Sequence, residues 1–302
     1  MEYMIRKGIG IFSFTASDTP LSHGVRISSE ILKRNLHLDF TILTRAIRHA
    51  QKRREKIIDQ FRTIIRAGLT CVFFGVESGN DAVLKHVMNK GISSEDIAVT
   101  IECLRIASKQ ERRHVSIIAS YIYPIPLPEK LLTQGITLEK VLEDNLKLLK
   151  RIRPDSFHAA PGLLYPGTKW YTDKEQFHIE FDEEHFLPKW ITQEFSFHAF
   201  LNPQEDFLYS FNEIPFQELI PPSIDFARRG NELGFPSDLW DDHFIFARAN
   251  GIEGAEALQQ LSRDLFLDLL VCNDEHTHHL YEGVIDHSRQ IAQRNHRFFV
   301  AC

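Results

Sequence analysis

The sequence predicts an α/β fold: a parallel sheet or barrel over residues 1–170, then a mostly helical C-terminal domain over residues 171–302. Three observations carry this. Short apolar runs alternate with segments whose apolar residues recur at helical spacing. Enough chain separates the runs to build a helix between them, which is what a parallel connection needs. Beyond Trp170 the alternation stops, and long amphipathic patterns replace it.

The elements follow in order. Ile9 to Phe14 is a short apolar run, and Val25, Ile27, Ile31 and Leu32 mark a helix after it. Asp39 to Leu43 is the second strand, ending at Thr44-Arg45. Between Arg53 and Ala67, Ile57, Ile58, Phe61, Ile64 and Ile65 fall on one helical face, and Gly68 stands where a C′ glycine ends a helix. The most informative stretch comes next. Cys71 to Val76 has the length of a buried strand, and it stops at Glu77-Ser78-Gly79 before Asn80, a good N-cap. A helix runs to about Val87, and another starts at Ser93 or Ser94, with Ser94 as its cap. His114 to Tyr123 is a strand, and Pro124, Pro126 and Pro128 force a loop after it. Thr137 caps a helix that Pro154 ends, and Ser156 to Ala160 is the fifth strand. In the C-terminal part, Ala255 to Val271 and Thr277 to Arg294 read as two helices, antiparallel to each other across Asn273 to His276.

Composition narrows the function. The 302 residues carry a net charge of −6, which argues against a broad nucleic-acid surface. The basic segment Arg45 to Arg66 reads as the solvated face of a helix in preference to a phosphate site. No apolar run approaches the ~20 residues needed to span a bilayer, and the N-terminal residues lack a signal-peptide core, so a cytoplasmic protein is expected. The four cysteines, Cys71, Cys103, Cys272 and Cys302, are scattered, and reduced structural thiols are expected.

Four sets of residues resemble the radical S-adenosylmethionine superfamily, in the branch associated with a cobalamin-binding domain. They are Phe74 to Gly79 with Val83-Leu84 and Met88 to Gly91; Asp39 to Arg45; the strand ending at Tyr123-Pro124-Ile125-Pro126; and Tyr165-Pro166-Gly167-Thr168. Their order over residues 9–170 carries the resemblance. It implies a (β/α)6 partial barrel with S-adenosylmethionine at the C-terminal ends of the strands. A 4Fe–4S cluster on a C-x-x-x-C-x-x-C loop would cleave that cofactor to a 5′-deoxyadenosyl radical, and methyl transfer would accompany this in cobalamin-dependent members.

The sequence departs from that pattern at one place. Five of the six units are present, and the first strand with its cysteine loop is missing. Iron–sulfur clusters need thiolate ligands, and no three cysteines here reproduce the loop's spacing. The chain therefore reads as the C-terminal portion of a radical enzyme: a truncated product, a misassigned start or one piece of a split protein. Loss of the first unit would leave the Ile9–Phe14 strand as an unpaired edge. Self-association, or a separate N-terminal half that supplies the missing unit, is expected.

The resemblance places Glu77 and Ser78 against the ribose or amino-acid part of S-adenosylmethionine; the alternative is a solvent-facing charge and a plain turn. Asp18 and Thr19 stand where the family has polar cofactor contacts, although Ser17-Asp18 replaces its acidic pair, and helix capping by Asp18 is the alternative. Arg45 would take a carboxylate, either the ligand's or a structural partner's. Tyr123, Pro124 and Pro126 replace a more glycine-rich turn, and Pro166-Gly167-Thr168 reads as a structural turn at the barrel mouth. His276, His278, His279 and His287 lack metal-ligand spacing and read as a solvated helix start.

The leading function is thus the C-terminal part of a radical S-adenosylmethionine enzyme, acting by hydrogen abstraction or methyl transfer on an unknown substrate and unable to bind the cluster by itself. The rival is a non-catalytic remnant or subunit that binds a partner protein or S-adenosylmethionine. A metal hydrolase built on the C-terminal histidines ranks last.

Overall fold

The computed structural model describes residues 1–14, 18–195, 209–275 and 277–295. After a short N-terminal helix, α1 (Glu2–Arg6), five strands form one parallel sheet. These are β1 (Ile11–Phe14), β2 (Asp39–Arg45), β3 (Leu69–Glu77), β4 (Ser116–Ile122) and β5 (Ser156–Ala160), side by side in chain order. The helices between them are α2 (Leu21–Lys33), α3 (Arg54–Arg66), α4 (Asp81–His86), α5 (Ser94–Glu111), α6 (Glu129–Leu132) and α7 (Leu138–Ile152). This is the partial α/β barrel of five parallel units expected from the sequence.

Local chemistry sets the helix ends. Asn80 accepts from the backbone N–H groups of Ala82 and Val83 and starts α4. The cap of α5 is Ser93, not Ser94, because Asp96 closes a capping box with Ser93. Thr137 caps α7 by accepting from the Lys140 N–H. Gly68 has φ +119° between α3 and β3, and a Cβ there would lie 1.9 Å from the Leu38 carbonyl oxygen. Only glycine fits that close approach.

Successive strand residues face opposite sides of the sheet. Phe40, Ile42, Val72, Phe74, Val76, Ile117, Ala119 and Tyr121 face the helices and join the main core with residues of α2, α3, α5 and α7. The other face is the inner one.

The chain beyond Trp170 builds α8 (Lys169–Thr172), β6 (Ile179–Glu180), α9 (Phe186–Phe195), β7 (Ser210–Phe211), β8 (Ile214–Pro215), α10 (Phe216–Glu232), α11 (Asp241–Asn250), α12 (Ala255–Val271) and α13 (His278–Gln293). It is mostly helical. The small antiparallel sheet β6–β7–β8 was not legible, because two-residue strands are too short to show alternation.

These elements pack into the barrel's own layers. Phe226 of α10 contacts Tyr121, Tyr123 and Phe157 on the outer face. Ser237 then makes a parallel bridge to Phe157 on the free edge of β5, with Phe157 N–H donating to the Pro236 carbonyl and Asp238 N–H to that of Phe157. Arg248 of α11 and His287 of α13 both reach Asp39 at the start of β2, at 3.0 and 3.6 Å.

Of the last two helices, α13 packs chiefly against α11, while Leu280 also shares a small core with Leu261 of α12 and Ala247 of α11. Gly283 allows the packing on α11. A Cβ there would lie 2.1 Å from Asn250 Oδ1, and the Asn250 amide donates to the Leu280 carbonyl at 3.1 Å. No helix among the described residues is long and apolar enough to cross a membrane.

Candidate functional site

The inner face of the sheet divides into a covered lower half and an open upper half. Toward the N-terminal ends of the strands, Thr41 and Ser13 both donate to the Asp241 carboxylate, at 2.7 and 2.9 Å. Cys71 and Ile118 pack beneath Leu239 and Phe244. Trp240 stacks on Phe73 at 5.5 Å and lies 4.5 Å from the ring of His158, which is paired with Asp238. Toward the C-terminal ends this cover stops. Leu43, Gly75, Ser120, Ile122 and Ala160 are all half-buried, and Arg45 is exposed. Ligands in parallel α/β folds bind at this end of the strands.

Glu77 closes β3 at this open half. Its φ is +63°, in the left-handed region, and the β3–β4 register shifts between Gly75 and Glu77. A non-glycine residue held there is strained, and strain of this kind gathers at functional sites. The Glu77 carboxylate folds back over Gly75, where a Cβ would lie 2.7 Å from Oε1. Lys90 Nζ donates to Glu77 Oε1 at 2.8 Å and to the Gly75 carbonyl at 3.1 Å.

Its neighbour Ser78 points elsewhere. The expectation that Ser78 faces a ligand is corrected by its burial: it is fully buried, its hydroxyl donates to Asn145 Oδ1 at 3.1 Å, and it accepts from the Asn80 N–H. Asn145 Oδ1 also takes the Gly79 N–H at 2.6 Å. Ser78 and Gly79 thus lock the β3–α4 turn onto α7. Asn145 itself was missed, since a lone Asn in a helical stretch carries no signal in sequence.

The remaining candidates divide in the same way. Asp18 and Arg45 come together as an ion pair at 3.0 Å, on the rim of the open half. Thr19 is buried; its N–H donates to the Leu43 carbonyl, and its own carbonyl accepts from Thr44 Oγ1. Through its backbone it fastens the loop after β1 to β2. Ser17 lies outside the described residues. Tyr123 is buried against Phe226, and burial pushes its phenol up to about 12. Thr168 donates to the Tyr165 carbonyl at 2.7 Å within its turn and lines a cleft.

Two clefts open along the strand ends, and Met88 and Asn89 belong to both. One, of about 510 Å³, lies at the ends of β4 and β5 among Ile122, Ala160, Leu163, Tyr165 and Trp170 and is mainly apolar. The other, of about 560 Å³, lies at the ends of β1, β2 and β3 and includes Arg45 and Lys90.

The described thiols do not fit a 4Fe–4S cluster. Cys71 is buried under α11, and burial pushes its thiol well up from the ordinary value. Cys103 is buried on α5, with Sγ 3.8 Å from the Arg54 carbonyl oxygen, and Cys272 is exposed after α12. Cys302 lies outside the described residues. Among the described residues no group of three or more His, Cys, Asp or Glu side chains is placed to hold a metal ion. His278 pairs with Asp274, whose hydrogen bond raises the imidazole pKa, and His287 faces Asp39; His276 lies outside the described residues.

The turn that carries Glu77 also sets an acid limit. Burial works to raise the Asp144 pKa, but hydrogen bonds from Lys140, Asn80 and Lys147 outweigh it and hold the carboxyl below its usual value of 3.8. A depressed carboxylate stabilises the fold fully above its unfolded pKa, and that contribution is lost as pH falls through the folded value. Unfolding free energy measured by urea titration is therefore expected to drop below about pH 4, and Asp144→Asn is expected to flatten part of that drop.

No family model and no curated protein matches the sequence. Solved structures do. The chain is similar to the cobalamin-dependent S-adenosylmethionine radical enzyme OxsB with aqua-cobalamin bound, at 13% identity and a TM-score of 0.45, over 87% of this chain and 40% of that one. It is similar to the same enzyme with aqua-cobalamin and S-adenosylmethionine bound, at 13% identity and a TM-score of 0.43, over 86% and 38%. The selenomethionine-labelled apo form gives 13% identity and a TM-score of 0.41, over 87% and 39%. The chain thus spans about two-fifths of the length of these structures.

Proposed function

We propose that this chain is the C-terminal portion of a radical S-adenosylmethionine enzyme and that the open upper half of its inner face receives S-adenosylmethionine. The observation that carries this reading is the uncovered strand end at Glu77: a left-handed carboxylate, bridged to Lys90, that lies over a glycine with no side chain to displace it. A carboxylate accepts hydrogen bonds from ribose hydroxyls or an ammonium group, and the Lys90 ammonium offers a counter-charge to a ligand carboxylate. The apolar cleft beside Ile122 and Ala160 suits a flat ring. Hydrogen abstraction or methyl transfer belongs, in this proposal, to the intact relative; the cluster and any cobalamin would be held by parts other than the described residues.

A second reading has its own support. The scattered thiols favour a subunit that binds S-adenosylmethionine, or a partner, without cleaving it. In either reading the outer edge of β1 is where a further unit or a second copy would pair, because among the described residues β1 has a strand on one side alone.

Calorimetric titration with S-adenosylmethionine tests binding. Saturable uptake is expected, weakened about tenfold by Glu77→Gln, as the loss of one charge-assisted hydrogen bond implies. No uptake by folded protein would overturn the cofactor reading. Iron and labile-sulfide analysis after anaerobic reconstitution separates the two readings of the thiols, with less than one cluster per chain expected; a full cluster on this chain would reverse the assignment.

A further inference from the structure

The cleft at the ends of β1, β2 and β3 holds arginines that the cofactor reading does not use. Arg45, Arg48, Arg53 and Lys90 line it, together with Gln60 and Ser22, and no aspartate or glutamate does. This occurs in a protein whose net charge is −6. Arg45 and Lys90 are balanced from behind by Asp18 and Glu77. Among the described residues Arg48 and Arg53 have no ion pair, and Arg48 lies against Gly91 on the cleft wall.

We infer that this cleft is a binding site for the phosphate group of a small-molecule second ligand. Two of the four cations, Arg48 and Arg53, are left without a counter-charge among the described residues, and an entering anion would supply one. Guanidinium groups present paired N–H donors that match phosphate oxygens two at a time. Arg48 and Arg53 come from the loop and 3-10 turn (Ala50–Arg53) after β2, while Arg45 ends β2 and Lys90 follows α4, so the donors approach from separate segments. A single solvated helix face, the reading the sequence suggested for this basic segment, would not enclose them. S-adenosylmethionine carries no phosphate, so the Arg48 and Arg53 donors answer to a different ligand, although the two sites adjoin at Lys90. The cleft meets the apolar one at Met88 and Asn89, so a ligand held here by its phosphate would lie beside the ring proposed for the apolar cleft.

The test is a calorimetric titration of the whole chain with inorganic pyrophosphate at physiological ionic strength. One saturable site per chain is expected, weakened at least ~tenfold in the Arg48→Ala/Arg53→Ala double variant, a loss in keeping with two charged donors. The control is Arg34→Ala/Arg228→Ala, which removes the same charge from α2's end and α10, outside the cleft. It is expected to bind as the wild type does. Circular dichroism checks that both variants fold. Absence of saturation in the wild type, or equal weakening in both double variants, overturns the proposal. S-adenosylmethionine is titrated in parallel, and its uptake by the Arg48/Arg53 variant is expected to be unchanged. Loss of pyrophosphate binding alone therefore reports on this cleft, and loss of S-adenosylmethionine binding alone reports on the inner face.

Discussion

Gly79→Ala is expected to destabilise the protein by about 3 kcal/mol or more. A Cβ at this position would lie 2.3 Å from the Asp144 carbonyl oxygen and 3.0 Å from Asn145 Cα. Those are backbone atoms in the middle of α7, so no flexible side chain can swing aside. Relief would require α7 to move away from the β3–α4 turn, which would break the 2.6 Å bond from Gly79 N–H to Asn145 and loosen the 2.8 Å bond from Asn80 to Asp144. Urea unfolding followed by circular dichroism measures the effect. A change under 1 kcal/mol would show that the turn is not held as described.

Asn145→Ala should cost about 3 kcal/mol, through a different route. One buried amide oxygen serves both the Ser78 hydroxyl and the Gly79 N–H. Removing it leaves the Gly79 donor without its partner and opens a small void, and a buried group stripped of its partner costs about 1–3 kcal/mol. Ser78→Ala removes only the hydroxyl and is expected to cost about 1–2 kcal/mol. The contrast with Glu77→Gln decides the roles. Glu77→Gln should weaken S-adenosylmethionine uptake with little change in stability, and Ser78→Ala should lower stability with little change in uptake. The reverse pattern would make Ser78 the ligand contact and Glu77 the structural residue.

The distinction between Glu77 and Ser78 shows how far the sequence could be followed. Adjacent residues at a strand end look alike in sequence, since both are polar and both precede a turn. Glu77 adopts a left-handed conformation at a bulge, so its side chain stays on the inner face above Gly75, and Ser78 turns under the chain toward α7. Asp18 and Arg45 were legible as charged residues at neighbouring strand ends, and the pairing of strands β1 and β2 brings them together. The basic segment after β2 was legible as charge, not as a cleft, because its curvature depends on the loop after α4, more than thirty residues away in the chain.

The sequence alone determined the five strand-and-helix units along the chain, the caps at Asn80 and Thr137 and the scattering of the thiols. These follow from periodicity and from residues acting on their immediate neighbours. Tertiary structure alone decided which half of the inner face is open. Asp241, Trp240 and Leu239, from far along the chain, cover the lower half, and nothing in the local pattern of β1 to β5 announces that cover. It also placed Asn145 under the β3–α4 turn and α13 against α11. Such contacts arise from shape and burial between distant segments, which no short-range pattern encodes.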